Sequence, residues 1–157
     1  MSETALPITG GCLCGAVRYE AREPPFNAGY CHCNMCKKSR GGIFAVGASF
    51  LRDSVRFTRG TPKVYKSSAH AERGFCADCG TPLFFRFTTP GPYRVGITMS
   101  IGTLDDPEIA PPTFQWGIES RVSWFTIHDD LPQTRLEDDP GLRAHIAAVD
   151  SEELRQP

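Results

Sequence analysis

The chain has 157 residues, of which 40% are hydrophobic, and this is enough to bury one sizeable core, so we expect a single domain. Its formal net charge of −1 gives no general attraction to nucleic acid or to an anionic membrane. Residues 1–10 lack a basic, apolar leader, and no run of about eighteen apolar residues follows. We therefore expect a soluble, cytoplasmic protein.

Short runs of alternating, β-branched or aromatic residues, bounded by Gly, Pro or Asp, dominate the sequence and predict strands. In chain order the predicted strands cover residues 16–20, 43–50, 54–58, 63–67, 71–75, 82–87, 93–101, 113–118 and 124–127. One helix is predicted at 139–154, where Pro140 suits the first turn and one face is shared by Leu142, His145, Ile146 and Val149. The pattern predicts a mainly β fold with a short C-terminal helix.

The seven cysteines form three groups, which are Cys12 and Cys14, then Cys31, Cys33 and Cys36, then Cys76 and Cys79. Their odd number argues against a disulfide framework, and a cytoplasmic compartment keeps thiols reduced. Cysteines one or two residues apart can bind one zinc ion, with bonds of about 2.3 Å. Gly15 and Gly80 permit the tight turns that such loops need. The spacing therefore predicts metal sites.

Seven sulfur ligands divide into four and three. The two pairs that are followed by glycine make a closed structural site that joins distant segments. The middle group of three leaves one tetrahedral position for water or a substrate atom, as catalytic zinc sites do. The alternative is a purely structural middle site, completed by His32 or by a more distant residue. Since His32 lies between two ligating cysteines, we expect its ring to point away from the metal, beside the site or exposed.

Three segments also carry a family resemblance: GCLCGAVRY at 11–19, CHCNMCK at 31–37 and FCADCGTPL at 75–83. They resemble the glutathione-dependent formaldehyde-activating enzyme family, which includes centromere-protein-V-like members. The likeness extends over roughly residues 10–132, through the closing segments at 111–116 and 120–132. It implies a β-tent fold of small antiparallel sheets stapled by zinc. We expect this domain at 8–135 and a helix and tail at 136–157.

The resemblance implies two zinc ions per chain, a structural one on the first and third cysteine groups and a second one on the middle group. It also implies a carbon–sulfur lyase that adds glutathione, or a similar thiol, to formaldehyde or another small aldehyde. Zinc keeps a bound thiol deprotonated, and the thiolate attacks the carbonyl carbon. Lys37, Lys38 and Arg40 would offset the thiolate charge and hold a glutathione carboxylate, unless this basic turn simply faces water. His32 is the candidate proton shuttle.

Two other classes of protein remain as alternatives. A zinc nucleobase deaminase is suggested by His70 and Glu72 ahead of a Cys-x-x-Cys pair, but its signature places Pro where Phe75 stands, and we expect both residues on an exposed turn or strand edge. A non-catalytic, zinc-stabilised binding module would hold a partner through aromatic side chains. We expect these aromatics to pack in the core instead: Phe84, Phe85, Phe87, Trp116 and Trp124. No nucleic-acid or membrane partner is expected, and the oligomeric state is left open.

Overall fold

The computed structural model describes residues 5–148. Within them lie eleven strands and two α-helices. The strands are β1 (Ile8–Gly11), β2 (Arg18–Ala21), β3 (Asn27–Cys31), β4 (Ala45–Leu51), β5 (Val55–Arg59), β6 (Lys63–Lys66), β7 (Ala71–Phe75), β8 (Pro82–Phe87), β9 (Gly96–Ser100), β10 (Gln115–Trp116) and β11 (Gln133–Thr134). The helices are α1 (Asn34–Arg40) and α2 (Pro140–Ala147). The predicted mainly β class with a short helix near the C-terminus is confirmed.

The smaller sheet contains three antiparallel strands in the order β1, β2, β5. Alternation along β2 defines its two faces, because Tyr19 and Ala21 are buried while Glu20 accepts a hydrogen bond from Arg56 at 2.9 Å. The Tyr19 hydroxyl lies 2.8 Å from Thr103 Oγ1, which satisfies a buried polar group. This sheet therefore turns one apolar face towards the core.

The larger sheet contains eight strands in the order β11, β10, β3, β4, β9, β8, β7, β6. Its pairs are antiparallel except for β10, which runs parallel to both β3 and β11. Phe50 and Met99 are fully buried on its core face. Phe57 connects the two sheets, since its ring centroid lies 6.2 Å from that of Tyr19 and 6.0 Å from that of Phe84. Residues that alternate with this core face lie on the opposite side of the larger sheet.

Most predicted strands match observed ones with small shifts in their bounds. The strands predicted at 71–75 and 82–87 coincide with β7 and β8, while the one predicted at 93–101 is shortened by a 3-10 turn at Pro92–Val95. The strand predicted at 124–127 is wrong, because this segment is irregular and Trp124 is 72% exposed. The sequence pattern does not predict β1, β3, β11 or α1.

Helix α2 begins where its sequence predicts a helix start. The N-cap Asp139 accepts a hydrogen bond from the Leu142 N–H at 2.7 Å, and Pro140 occupies the first turn. Val149 and the remainder of the predicted helix lie outside the described residues. No helix among residues 5–148 is both long enough and apolar enough to cross a membrane.

His145 holds α2 against the end of β8 and makes stability depend on pH. It is fully buried, with its Nε2 atom 3.1 Å from Thr89 Oγ1 and its ring centroid 4.3 Å from that of Phe87. Burial, and then the nearby His70, lower the pKa of His145 below its usual 6.5. Below about pH 6.5 the unfolded chain therefore binds more protons than the folded chain, so the free energy of unfolding falls as the pH drops.

We expect His145→Gln to flatten this loss of stability between about pH 7 and pH 5, as measured by urea denaturation at several pH values. Part of the slope should remain, because burial also lowers the pKa of His32. The matched control is His128→Gln, which changes an exposed histidine and should leave the slope unchanged. Equal slopes in His145→Gln and the unmodified protein would contradict the prediction.

Candidate functional site

Four cysteines from two hairpin turns converge. Cys12 directly follows β1 and Cys14 lies in the turn to β2, whereas Cys76 follows β7 and Cys79 lies in the turn to β8. Their four Sγ atoms lie within 4.8 Å of one another. Since β1 and β2 belong to the smaller sheet and β7 and β8 to the larger one, this group connects the two sheets.

The turn between β1 and β2 and the turn between β7 and β8 both place a glycine directly after the second cysteine. Gly15 and Gly80 follow the second cysteine of each pair, and each has a φ of +76°, a left-handed conformation that glycine adopts at little cost. Their N–H groups donate to the carbonyls of Cys12 and Cys76, at 3.1 and 2.9 Å respectively. Each turn therefore brings both sulfurs of its pair to the same side of the backbone.

The sulfur spacing fits a tetrahedral metal ion. With bonds of about 2.3 Å, sulfurs at the corners of a tetrahedron lie about 3.8 Å apart. The Sγ–Sγ distance is 3.6 Å between Cys12 and Cys14 and 3.8 Å between Cys14 and Cys76. The Thr81 hydroxyl, 3.1 Å from Cys79 Sγ, and then backbone hydrogen bonds from Thr81 and Cys14 lower the pKa of Cys79 to about 6. The donor set thus fits a closed metal site with four thiolates.

The other three cysteines lie where β3 meets α1. Cys31 ends β3, Cys33 is the N-cap of α1, and Cys36 lies in the first turn of that helix. The Cys36 N–H donates to Cys33 Sγ at 3.4 Å, so the cap that starts the helix also fixes the spacing of two ligands. The Cys31 and Cys33 sulfurs are 3.5 Å apart, and all three lie within 4.8 Å of one another. Among residues 5–148, no histidine nitrogen or carboxylate oxygen joins this group.

Sequence reasoning missed Arg73, the cation beside these three sulfurs. It lies on β7, is only 5% exposed, and places its Nη2 atom 3.6 Å from Cys36 Sγ. The guanidinium carbon lies 4.8 Å from the ring centroid of Phe85, an arrangement that fixes the plane of the group. Contacts with the Cys31 and Cys33 thiols, and then the charge of Arg73, lower the pKa of Cys36. Cys36 therefore favours its thiolate, the form that binds metals.

The predicted basic turn lies on α1, but its three cations have different surroundings. Lys37 Nζ donates to the Ser120 carbonyl at 2.5 Å, and Lys38 is exposed. Arg40 reaches towards the larger sheet, where its Nη1 atom donates to a serine hydroxyl of β9. Burial, and then repulsion by Arg73, lower the pKa of Arg40. The carboxylate-binding role expected for Lys37, Lys38 and Arg40 stays a prediction.

His32 is 3% exposed and belongs to a buried hydrogen-bond network. Its Nε2 atom lies 3.1 Å from Gln115 Oε1, while the Gln115 amide donates to Asp129 at 2.7 Å. Because the amide oxygen can only accept, Nε2 carries the proton of the neutral ring. Burial lowers the pKa of His32 and favours this neutral form. The network holds the cysteine segment against β10, and the role of His32 as a proton shuttle stays a prediction.

The three-cysteine group lines a cleft of about 1240 Å³ on the face of the larger sheet that is opposite to the core. Phe85, Phe87 and Trp116 line this cleft as well. Phe84 is buried in the core, whereas Trp124 is 72% exposed. The expectation that all five aromatic side chains pack in the core is therefore correct only for Phe84. The cleft combines aromatic walls with thiols and cations, as ligand sites commonly do.

His70 and Glu72 do not form a metal site. His70 is 7% exposed and its Nδ1 atom lies 3.5 Å from Thr89 Oγ1, so the exposed position expected for it is wrong. Glu72 accepts a hydrogen bond from Arg86 Nε at 2.5 Å. Neither residue joins a cluster of potential metal donors in the described part of the chain. The geometry gives no support to the deaminase alternative.

Fold and site define a mainly β protein with two cysteine groups that can bind metal ions. The family model described as glutathione-dependent formaldehyde-activating enzyme matches residues 7–119. The chain belongs to this family, as its cysteine motifs predict.

Two relatives are among the similar curated proteins. The chain is 37% identical over 89 residues to an uncharacterized lyase of Schizosaccharomyces pombe, covering 55% of this chain and 63% of the relative. It is 35% identical over 109 residues to a candidate glutathione-dependent formaldehyde-activating enzyme of Penicillium rubens, covering 68% of this chain and 57% of the relative. The matched part of the chain thus spans 63% and 57% of the length of these two relatives.

A solved structure is also similar. The crystal structure of a Rhodobacter sphaeroides protein superimposes with a TM-score of 0.52 at 25% sequence identity. The match covers 62% of this chain and 88% of that protein. Together with the two sheets and the cysteine groups, it confirms the predicted β-tent fold.

Proposed function

We propose that this chain is a zinc-dependent carbon–sulfur lyase that adds glutathione, or a similar thiol, to formaldehyde or another small aldehyde. The observation that carries the proposal is the group of three cysteine sulfurs on the wall of a large cleft, without a fourth donor from the described residues. Closed structural sites use four protein donors, whereas catalytic sites keep one position for an outside ligand. Membership of the family supports the reaction class.

The proposal includes two zinc ions per chain. A structural ion would be held by Cys12, Cys14, Cys76 and Cys79, and a second ion by Cys31, Cys33 and Cys36. Sets of thiolate donors select soft or borderline metals such as zinc over magnesium or calcium. At the second site, zinc would keep a substrate thiol deprotonated at neutral pH.

The charges around the second site suit an anionic thiol. Three cysteine thiolates and one Zn²⁺ sum to a net charge of −1, so a further thiolate needs cations nearby. Arg73 contacts Cys36 Sγ at 3.6 Å, and Arg40 lies close enough to Arg73 for the two charges to repel each other. Both arginines thus offset the charge of the bound thiolate. Lys37 and Lys38, on the same helix as Cys36, remain proposed contacts for the carboxylates of glutathione.

In the proposed reaction the thiol sulfur bonds to the aldehyde carbon, the carbonyl double bond becomes a single bond, and the oxygen takes up a proton. The aromatic walls formed by Phe85, Phe87 and Trp116 lower the local polarity, which strengthens the attraction between the arginines and the thiolate. His32 remains the proposed proton shuttle for this step, and solvent is the alternative donor, because the Nε2 proton of His32 is directed to Gln115.

The test follows glutathione binding and exchange on the zinc-loaded protein. We expect glutathione to bind in isothermal titration, and the protein to broaden the NMR lines of formaldehyde, glutathione and their adduct at equilibrium. Equilibrium exchange is the suitable readout because thiols add to formaldehyde quickly without a catalyst. Cys36→Ser should remove both effects. Absence of binding at millimolar glutathione, with both metal ions present, would contradict the proposal and favour the non-catalytic binding module.

A further inference from the structure

Two arginine side chains meet beside the three-cysteine group. Arg73 reaches it from β7 and Arg40 from the last turn of α1. Both line the large cleft, and both also line a smaller adjoining cavity of about 250 Å³ together with Ser39 and Tyr65. Two like charges that line the same cavity repel each other and lose hydration, so their burial together calls for an anion or a set of acceptors.

Their N–H groups are only partly satisfied. The Arg73 Nη2 atom faces Cys36 Sγ at 3.6 Å, but the Nε and Nη1 atoms of Arg73 have no partner within the part of the chain that the structure describes. Arg40 Nη1 donates to Ser100 Oγ, whereas Arg40 Nε has no partner there either. Since Arg73 is only 5% exposed, bulk water does not readily satisfy these donors. Three buried guanidinium nitrogens therefore lack a hydrogen-bond partner among the described residues.

Among residues 5–148, no carboxylate forms an ion pair with Arg40 or Arg73. Glu72, the acidic residue adjacent to Arg73 in sequence, binds Arg86 instead. The charged groups that most affect Arg40 are Arg73, Cys36, Tyr65 and Cys31, none of which is a carboxylate. A zinc ion with three cysteine thiolates contributes −1 and the two arginines +2. Before any substrate binds, the zinc-loaded region would therefore carry a charge of +1. A substrate thiolate on the zinc neutralises this charge, and a carboxylate then relies on the unpartnered N–H groups of the two arginines.

We propose that Arg40 and Arg73 form a carboxylate subsite, and that the natural substrate pair includes a small molecule with a carboxylate one or two carbons from its reacting thiol or aldehyde. This inference rests on the proposed function. Planar guanidinium groups bind carboxylates through paired hydrogen bonds. Nη2 of Arg73 shares one edge of the guanidinium with Nε and another with Nη1, so a carboxylate on either edge would lie within roughly 6 Å of Cys36 Sγ. In glutathione a peptide bond or the γ-glutamyl link separates the sulfur from each carboxylate, so a shorter molecule suits this subsite better.

The test compares pairs of probes that differ in the carboxylate, using NMR titration of the zinc-loaded protein. Mercaptoacetate against 2-mercaptoethanol tests a carboxylate on the thiol, and glyoxylate against acetaldehyde tests one on the aldehyde. We expect the carboxylate member of at least one pair to bind about tenfold more tightly, because charge-assisted hydrogen bonds favour it. Arg40→Gln should reduce this preference to less than about threefold, and Arg73→Lys should weaken it by removing the planar fork.

The control variant is Arg56→Gln, which removes an exposed cation from the smaller sheet and should keep the preference. Metal content measured on every variant verifies that the second site is loaded. The subsite is wrong if neither pair shows a preference, or if the preference survives in both Arg40→Gln and Arg73→Lys. Either result, with glutathione still bound, leaves the proposed function standing. If the zinc-loaded protein binds none of the thiols, the proposed function itself fails as well.

Discussion

Cys76→Ser is expected to unfold most of the protein at room temperature, or to lower its Tm by tens of degrees. The free energy of binding a structural zinc is about 10–16 kcal/mol and is also folding free energy, which is comparable to the whole stability of a domain, about 5–15 kcal/mol. Cys76 is 1% exposed, and its group connects turns from both sheets. Thermal unfolding by circular dichroism and metal analysis together measure the effect.

A matched control lies in the opposite turn of the same site. Leu13 stands between Cys12 and Cys14 and is 89% exposed, so Leu13→Ser changes the turn without removing a ligand. We expect this variant to keep its metal and its Tm within a few degrees. A Cys76→Ser protein that retains full metal content and the Tm of the unmodified protein would show that the four cysteines are not a structural metal site.

Cys33→Ser is expected to remove the second metal ion and glutathione binding while the fold survives. The three cysteine ligands of the second metal site lie within six residues, at 31–36. This site therefore closes only a short loop and contributes little to joining distant segments of the chain. Serine is also a good N-cap, and its hydroxyl can replace Cys33 Sγ as the acceptor for the Cys36 N–H. We expect a loss of about 1–3 kcal/mol in the free energy of unfolding.

Circular dichroism and metal quantification separate the two effects for this variant. The unmodified protein should contain two metal ions per chain and Cys33→Ser only one, with similar far-ultraviolet spectra. Asn34→Ala, an exposed neighbour in the same turn, is the matched control and should keep both ions. Simultaneous loss of the fold and of both ions in Cys33→Ser would mean that the middle site is structural too.

The strands that could be predicted carry their own local pattern. In β8, with the sequence PLFFRF, aromatic residues lie between clear breaking signals, and the predicted bounds are correct. Strand β3, with the sequence NAGYC, has no such pattern. Its Gly29 serves tertiary packing, because a Cβ atom there would lie 2.4 Å from the Phe114 ring. The segment at 124–127 shows the opposite case, since its apolar residues find no strand partner and Trp124 stays exposed.

Part of the candidate site could also be predicted. Cysteine spacing alone predicts which sulfurs come together, and the structure groups them in the same way. Arg73 could not be found by spacing, because it is 37 residues from Cys36 and the two side chains come into contact only in the folded protein. A weaker signal existed in the strand itself, where alternation places the charged Arg73 on the same side as the small Ala71. A buried charge on the cleft side of a strand is unusual and indicates a functional role.

Zinc-edge X-ray absorption of the two-zinc protein, with and without glutathione, tests the central claim most directly. Seven cysteine sulfurs shared by two ions give an average of about 3.5 sulfur neighbours per zinc, the remainder being oxygen or nitrogen. We predict that saturating glutathione raises this average to about 4, because its thiolate takes the open position at the three-cysteine site. An average that stays near 3.5 at saturating glutathione, or that equals 4 before glutathione is added, would contradict the account.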